Sequence, residues 1–130
     1  MLRYTLGTAL LAVCVVAWSA APAAGARYCS GTVRAYESGP NIIASNIRVV
    51  RVGCRPAKRL LRAYFREVLR TAQVEGGCAH QRQNVGCPIS GWRCYSRYDR
   101  PSNSLKGRCA RRTARGKRII YFDERDIGPG

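Results

Sequence analysis

The stretch Cys54-Arg55-Pro56-Ala57-Lys58-Arg59-Leu60-Leu61-Arg62-Ala63-Tyr64-Phe65-Arg66-Glu67-Val68-Leu69-Arg70 decides the fold. Ala57, Leu60, Leu61, Tyr64, Phe65, Val68 and Leu69 recur at steps of three and four, so they share one face of a helix. Arg55, Arg59, Arg62, Arg66 and Arg70 fall on the rest of the cylinder as a basic stripe. Pro56 suits the first helical turn, where its missing N–H forfeits no hydrogen bond. Gly76-Gly77 is the expected stop. A helix with an apolar face this wide has to bury it, and the flanking segments supply the surface.

Those segments read as strands. Val33 and Ala35 alternate with Thr32, Arg34 and Tyr36, which predicts a first strand. Ser38-Gly39-Pro40-Asn41 predicts a turn. Ile47-Arg48-Val49-Val50-Arg51-Val52 is β-branched and predicts a second strand, ended by Gly53. Beyond the helix, residues 79–86 between Cys78 and Cys87 read as a polar loop. Trp92–Tyr98, Leu105–Arg112 and Lys117–Phe122 predict three more strands, the last two joined around Ala114-Arg115-Gly116. The segment 123–130 is expected to fray. The order β-β-α-β-β-β predicts an α+β fold, a small antiparallel sheet with one amphipathic helix packed on one face.

The front of the chain reads as a secretory leader over residues 1–26. Arg3 is the basic n-region, Leu6–Trp18 the apolar stretch, and Ala24-Gly25-Ala26 the small-x-small cleavage pattern. An acylated Cys14 is the weaker reading, because the bulky Val13 precedes it. Residues 27–130 then form a single exported domain. No further apolar run approaches the ~20 residues of a membrane span. The export route leads to an oxidising compartment, and six cysteines remain after Cys14 leaves with the leader. An even count in a short exported chain predicts three disulfides. Six cysteines allow 15 pairings; the preferred set is Cys29–Cys54, Cys78–Cys87 and Cys94–Cys109. Cys94 and Cys109 would link neighbouring strands on the core face, and Cys78 and Cys87 would close the polar loop. No Cys-x-x-Cys pair is present, and no metal or other cofactor is expected.

Charge is the strongest functional signal. The chain carries 23 Lys and Arg against 7 Asp and Glu. Without Arg3 the net charge is +15, which should attract polyanions or acidic surfaces. Side-chain alternation places Trp92, Cys94 and Cys109 inward, and so sends Arg93, Tyr95, Arg97 and Arg108 to the outer face of the sheet. The same rule sends Arg34, Tyr36 and Tyr121 outward. Arginine pairs bidentately with phosphate, sulfate or carboxylate, and tyrosine rings stack on bases or sugars. Arg34, Tyr36, Arg93, Tyr95, Arg97, Arg108 and Tyr121 are therefore the candidate binding residues. Arg59, Arg62, Arg66 and Arg70 on the helix form a second basic patch.

Two other classes compete with a binding domain. A small secreted ribonuclease would cast Glu67 as base, His80 as acid, and Arg93 and Arg108 as phosphate holders. The fit is poor, because Glu67 falls on the predicted helix and His80, the only histidine, precedes the last three strands, whereas small microbial ribonucleases carry theirs late in the chain. A protease inhibitor would present a rigid loop, either Cys87-Pro88-Ile89-Ser90-Gly91 or residues 100–105. No Gly-x-Ser-x-Gly, Walker loop or dinucleotide fingerprint occurs. The reading adopted is an exported, non-enzymatic basic domain, expected to be monomeric. Its expected partner is a nucleic acid, an anionic glycan or an acidic cell-envelope component.

Several short motifs carry a resemblance. Ile43-Ala44 stands ahead of an apolar strand, Cys54-Arg55-Pro56-Ala57 opens the helix, and Gly91-Trp92-Arg93-Cys94 and Arg108-Cys109-Ala110 precede a last strand ending in Phe122. This series resembles a group of small secreted proteins, mostly actinobacterial, of uncharacterised function. The resemblance spans roughly residues 43–122. It implies an exported α+β domain and supplies no catalytic residues; Cys78 and Cys87 are additions to the pattern.

Overall fold

The computed structural model describes residues 25–127. The expected leader, Cys14 included, lies outside the described residues apart from Gly25 and Ala26. In chain order the elements are β1 (Arg27–Tyr28), β2 (Val33–Arg34), β3 (Asn41–Val50), α1 (Cys54–Arg70), α2 (Cys78–Gln81), β4 (Cys87–Ile89), β5 (Trp92–Asp99), β6 (Ser104–Thr113) and β7 (Gly116–Ile127). One antiparallel sheet runs β1-β3-β7-β6-β5-β4, with β2 also paired to β3. The class is α+β. β5, β6 and β7 form a meander, and β3 inserts beside β7 rather than beside the strand that follows it in sequence.

The long helix buries Ala57, Leu60, Leu61, Tyr64, Phe65 and Val68. These pack on the inward side chains of the sheet, among them Val49, Cys94, Cys109, Ile120 and Phe122. Tyr64, Phe65 and Phe122 meet as an aromatic trio with ring centroids 5.4 to 6.2 Å apart, in the tilted and edge arrangements such rings prefer. Phe122 fits because its register partner is Gly107. A Cβ on Gly107 would stand 2.0 Å from the Phe122 ring.

Three disulfides brace this core. They join Cys29 to Cys54, Cys78 to Cys87 and Cys94 to Cys109. Cys94 and Cys109 face each other directly across β5 and β6. Cys29–Cys54 ties the segment after β1 to the first residue of α1, and Cys78–Cys87 ties α2 to the edge strand β4.

The elements differ from expectation in several places, and β1 and β4 are strands that the expected order β-β-α-β-β-β did not include. The helix ends at Arg70 instead of reaching Gly76, because Thr71 intervenes. The Thr71 hydroxyl donates to the Glu67 carbonyl and accepts from the Ala79 N–H, drawing the chain off the helix axis. A second, short helix, α2, occupies the start of the expected polar loop. The strand expected around Val33 to Tyr36 is only two residues long, because the chain after Arg34 folds back around Asn41.

Asn41 is not a turn residue but the buried start of β3. Its Oδ1 accepts from the N–H groups of Ala35, Tyr36 and Ile42, and its Nδ2 donates to the Tyr36 carbonyl. The expected second strand is the latter half of β3, which bulges between Ser45 and Arg48 at Asn46, held at a positive φ of 49°. Asparagine tolerates that conformation better than most residues. Finally, the expected frayed tail is sheet. Asp123 to Ile127 pair with Ser45 to Asn41, so β7 runs on to Ile127.

Candidate binding face

Strand register builds the outer face row by row. Tyr95, Arg108, Tyr121 and Arg48 stand side by side on β5, β6, β7 and β3. Two residues along each strand, the next row is Arg97, Lys106 and Asp123. The row on the other side is Arg93, Ala110, Ile119 and Val50. Side chains two apart share a face, so tyrosine and arginine alternate across four strands on the side away from the helix.

The guanidinium of Arg97 lies 5.8 Å from the Tyr95 ring centroid, and that of Arg48 lies 5.4 Å from the Tyr121 centroid. Around these residues lies a cavity of about 540 Å³, lined by Arg48, Tyr95, Arg97, Lys106, Arg108 and Tyr121, with Asn84 at its wall. Its volume falls within the range of small-molecule sites, about 300–1,000 Å³. Among the described residues, no carboxylate lines it. Asp123 sits on the same face, where Lys106 and Asn46 each reach it at 2.8 Å. Against the opposing effect of partial burial, these two partners hold the Asp123 carboxyl below its ordinary range. The Nε of Arg108 is buried and has no hydrogen-bond partner among the described residues.

The wall comes from the turn between α2 and β4. Gly86 there has φ +86°, and a Cβ on it would lie 2.7 Å from the Tyr95 ring. Arg93 donates from Nη1 to the Val85 carbonyl at 3.0 Å. Glycine at position 86 thus lets the turn close against Tyr95, and Arg93 fastens it there.

Of the residues singled out from the sequence, Arg93, Tyr95, Arg97, Arg108 and Tyr121 come together on this face. Arg34 is at its far end, opposite Ile43 and in line with Arg125. Tyr36 does not belong to it. It lies outside the strand, with the Arg66 guanidinium 5.3 Å from its ring centroid, so it packs with the helix instead. The helix stripe is partly engaged within the molecule. Arg66 donates to the Ala35 carbonyl at 2.7 Å, and Arg70 pairs with Glu67 at 2.6 Å, while Arg59 and Arg62 are exposed. Arg48 is missing from the residues singled out from the sequence, although alternation points it outward, between inward Ile47 and Val49. Asn84 gave no such signal, because its place depends on the turn.

A second polar cluster is buried under the helix. Tyr64 and Ser96 hydroxyls meet at 2.8 Å, Ser96 donates to Glu124 at 2.5 Å, and Arg82 pairs with the other Glu124 oxygen. Arg82 is 7% exposed and Glu124 3%. Burial lifts the Glu124 carboxyl above its ordinary range against the opposing pull of Arg82 and Ser96. Burial, with the nearby Glu124 charge, pushes the Tyr64 phenol up to about 12. The cluster pins α2 to the middle of the sheet, and the Arg82 carbonyl also accepts from the Ser96 N–H.

Glu67, His80, Arg93 and Arg108 are not assembled as a catalytic group. Glu67 is on α1, held below its ordinary range by hydrogen bonds from Arg70. His80 is on α2, its Nδ1 3.1 Å from the Val74 carbonyl. The two arginines are on the sheet face turned away from α1. No cluster of His, Cys, Asp and Glu among the described residues could hold a metal ion. No helix among them is long and apolar enough to cross a membrane.

Fold and face together define a disulfide-braced α+β domain with a basic, tyrosine-bearing sheet surface. Compared with protein-family models, curated proteins and solved structures, the chain finds no match.

Proposed function

We propose that this is an exported, non-enzymatic domain that binds an anionic polymer or acidic surface on the outer face of its sheet. The observation that carries this reading is the cavity, where Arg48, Arg97, Lys106 and Arg108 converge around two tyrosines with no acidic residue in the lining among the described residues. Clustered cations in a concave, partly dry surface focus potential more than the same charges spread over a helix. The three disulfides, with the leader expected from the sequence over residues 1–26, support an extracellular setting.

The inhibitor reading has less support. Cys87–Ile89 is an edge strand whose partner is β5, and Ser90-Gly91 is a two-residue turn with both φ values positive. A segment so paired is not an extended loop free to enter a protease cleft. The ribonuclease reading has less support too, because Glu67 and His80 lie on helices away from Arg93 and Arg108.

The test compares two triple variants. Changing Arg48, Arg97 and Arg108 to glutamine should weaken binding to single-stranded DNA or heparin at least about tenfold more than changing Arg55, Arg59 and Arg62 to glutamine. Each face residue neutralised should also flatten the log–log salt dependence for a single strand by about 0.7. Equal losses from the two variants would remove the sheet face from consideration.

A further inference from the structure

Resting on that reading, we infer that the polymer is a single-stranded nucleic acid, held with bases on Tyr95 and Tyr121 and a phosphate on Arg108. Three features of the cavity point the same way. Tyr95 and Tyr121 stand two strands apart in one row, a separation of about 10 Å. Each ring is accompanied by a guanidinium, Arg97 on one and Arg48 on the other. A ring and a guanidinium plane are both surfaces on which an unpaired base stacks. A sulfated polymer is held chiefly through its charges, whereas an unpaired base offers a planar π face to each ring.

Arg108 stands between the two rings, and its Nε is buried without a partner among the described residues. A guanidinium has five N–H donors in a planar fork. Arg108 is half-buried, and a phosphate linking two splayed nucleotides would pair with the accessible outer N–H groups of that fork. Asn84 closes one side of the cavity. Its amide offers a donor and an acceptor together, the pattern that pairs with a base edge.

Duplexes fit this surface poorly. Their bases are stacked on each other and offer Tyr95 and Tyr121 no free ring plane.

The experiment is equilibrium binding of the disulfide-bonded protein to three probes at about 0.15 M salt. These are a short oligodeoxythymidine, an abasic oligodeoxynucleotide of the same length, and a sulfated heparin-derived oligosaccharide. The abasic strand has the same phosphates and lacks the bases. The oligodeoxythymidine should bind at least about tenfold more tightly than the abasic strand, as stacking at two positions requires. Tyr95→Leu with Tyr121→Leu should abolish that difference, while the two phenylalanine replacements should keep it. Equal binding of the two strands, or tighter binding of the oligosaccharide, would overturn the nucleic-acid assignment and leave the anionic-polymer reading standing. Failure of all three probes to bind would overturn both.

Discussion

Replacing Arg82 with methionine should destabilise the domain by about 3–5 kcal/mol at neutral pH, the usual consequence of stranding one partner of a buried ion pair. Glu124 is almost wholly buried, and Arg82 is its ionic partner. Burial already holds the Glu124 carboxyl above its unfolded value. A carboxyl raised on folding keeps its proton in the native state longer than in the unfolded one. Its contribution to stability is therefore complete below the unfolded value of 4.5 and is lost as pH rises beyond it. Without Arg82 the carboxyl rises further, so the variant's deficit should grow from pH 4 towards neutrality. Adding Glu124→Gln removes the stranded charge and should recover much of the loss at pH 7. Urea unfolding of wild type, single and double variants at several pH values measures all of this. A deficit that stays constant with pH would mean that packing of the Arg82 stem, not its charge, matters.

Phe122→Ala should cost about 3–5 kcal/mol, the range for an aromatic lost from a closely packed core. Its ring touches Tyr64 and Phe65 edge-on and fills the space left by Gly107. The complementary change, Gly107→Ala, should also destabilise, because the new methyl enters the Phe122 ring. The two effects should not add. Once Phe122 is alanine, the Gly107→Ala methyl has room, so the double variant should be more stable than the sum of the singles implies. Denaturant midpoints of the four proteins form the cycle, and strict additivity would mean the ring and the glycine are not in contact.

The helix was legible because its apolar residues repeat at helical steps, and the same seven positions are buried or half-buried in the fold. The meander was legible because Cys94, Cys109 and Ile120 each stand next to an arginine or a tyrosine, Arg93, Arg108 and Tyr121 among them. What periodicity missed was polar residues turned inward. Glu124 belongs to a strand but reads as surface, so β7 was ended at Phe122. Arg82 reads as a solvated loop residue, so its burial over the sheet was not anticipated. Both errors have one cause. A buried ion pair looks like two surface charges until the partners, 42 residues apart, are brought together. Asn41 misled in the same way, since a buried amide bonded to three backbone N–H groups and a turn asparagine are identical in sequence.

The binding face shows the same division. Alternation along β5, β6 and β7 sends Tyr95, Arg97, Arg108 and Tyr121 to one side, and strand order makes them neighbours. Sequence could not show that β3 lies beside β7, which brings Arg48 against Tyr121. Nor could it show that Tyr36 turns to Arg66 on the helix. Arg93 was rightly placed outward, yet its guanidinium is occupied by the Val85 carbonyl.

The most direct test of the account is whether the fold, and not composition, makes the site. Binding to single-stranded DNA should be measured over a salt series for the disulfide-bonded domain and for the same chain reduced and capped with iodoacetamide. Both forms carry the same basic residues. The account predicts that the folded form binds distinctly tighter at about 0.15 M salt, with a log–log slope near −3 from four engaged cations. Indistinguishable binding by the two forms, or loss of both together by that salt concentration, would contradict it and leave the charge as a solvated surface.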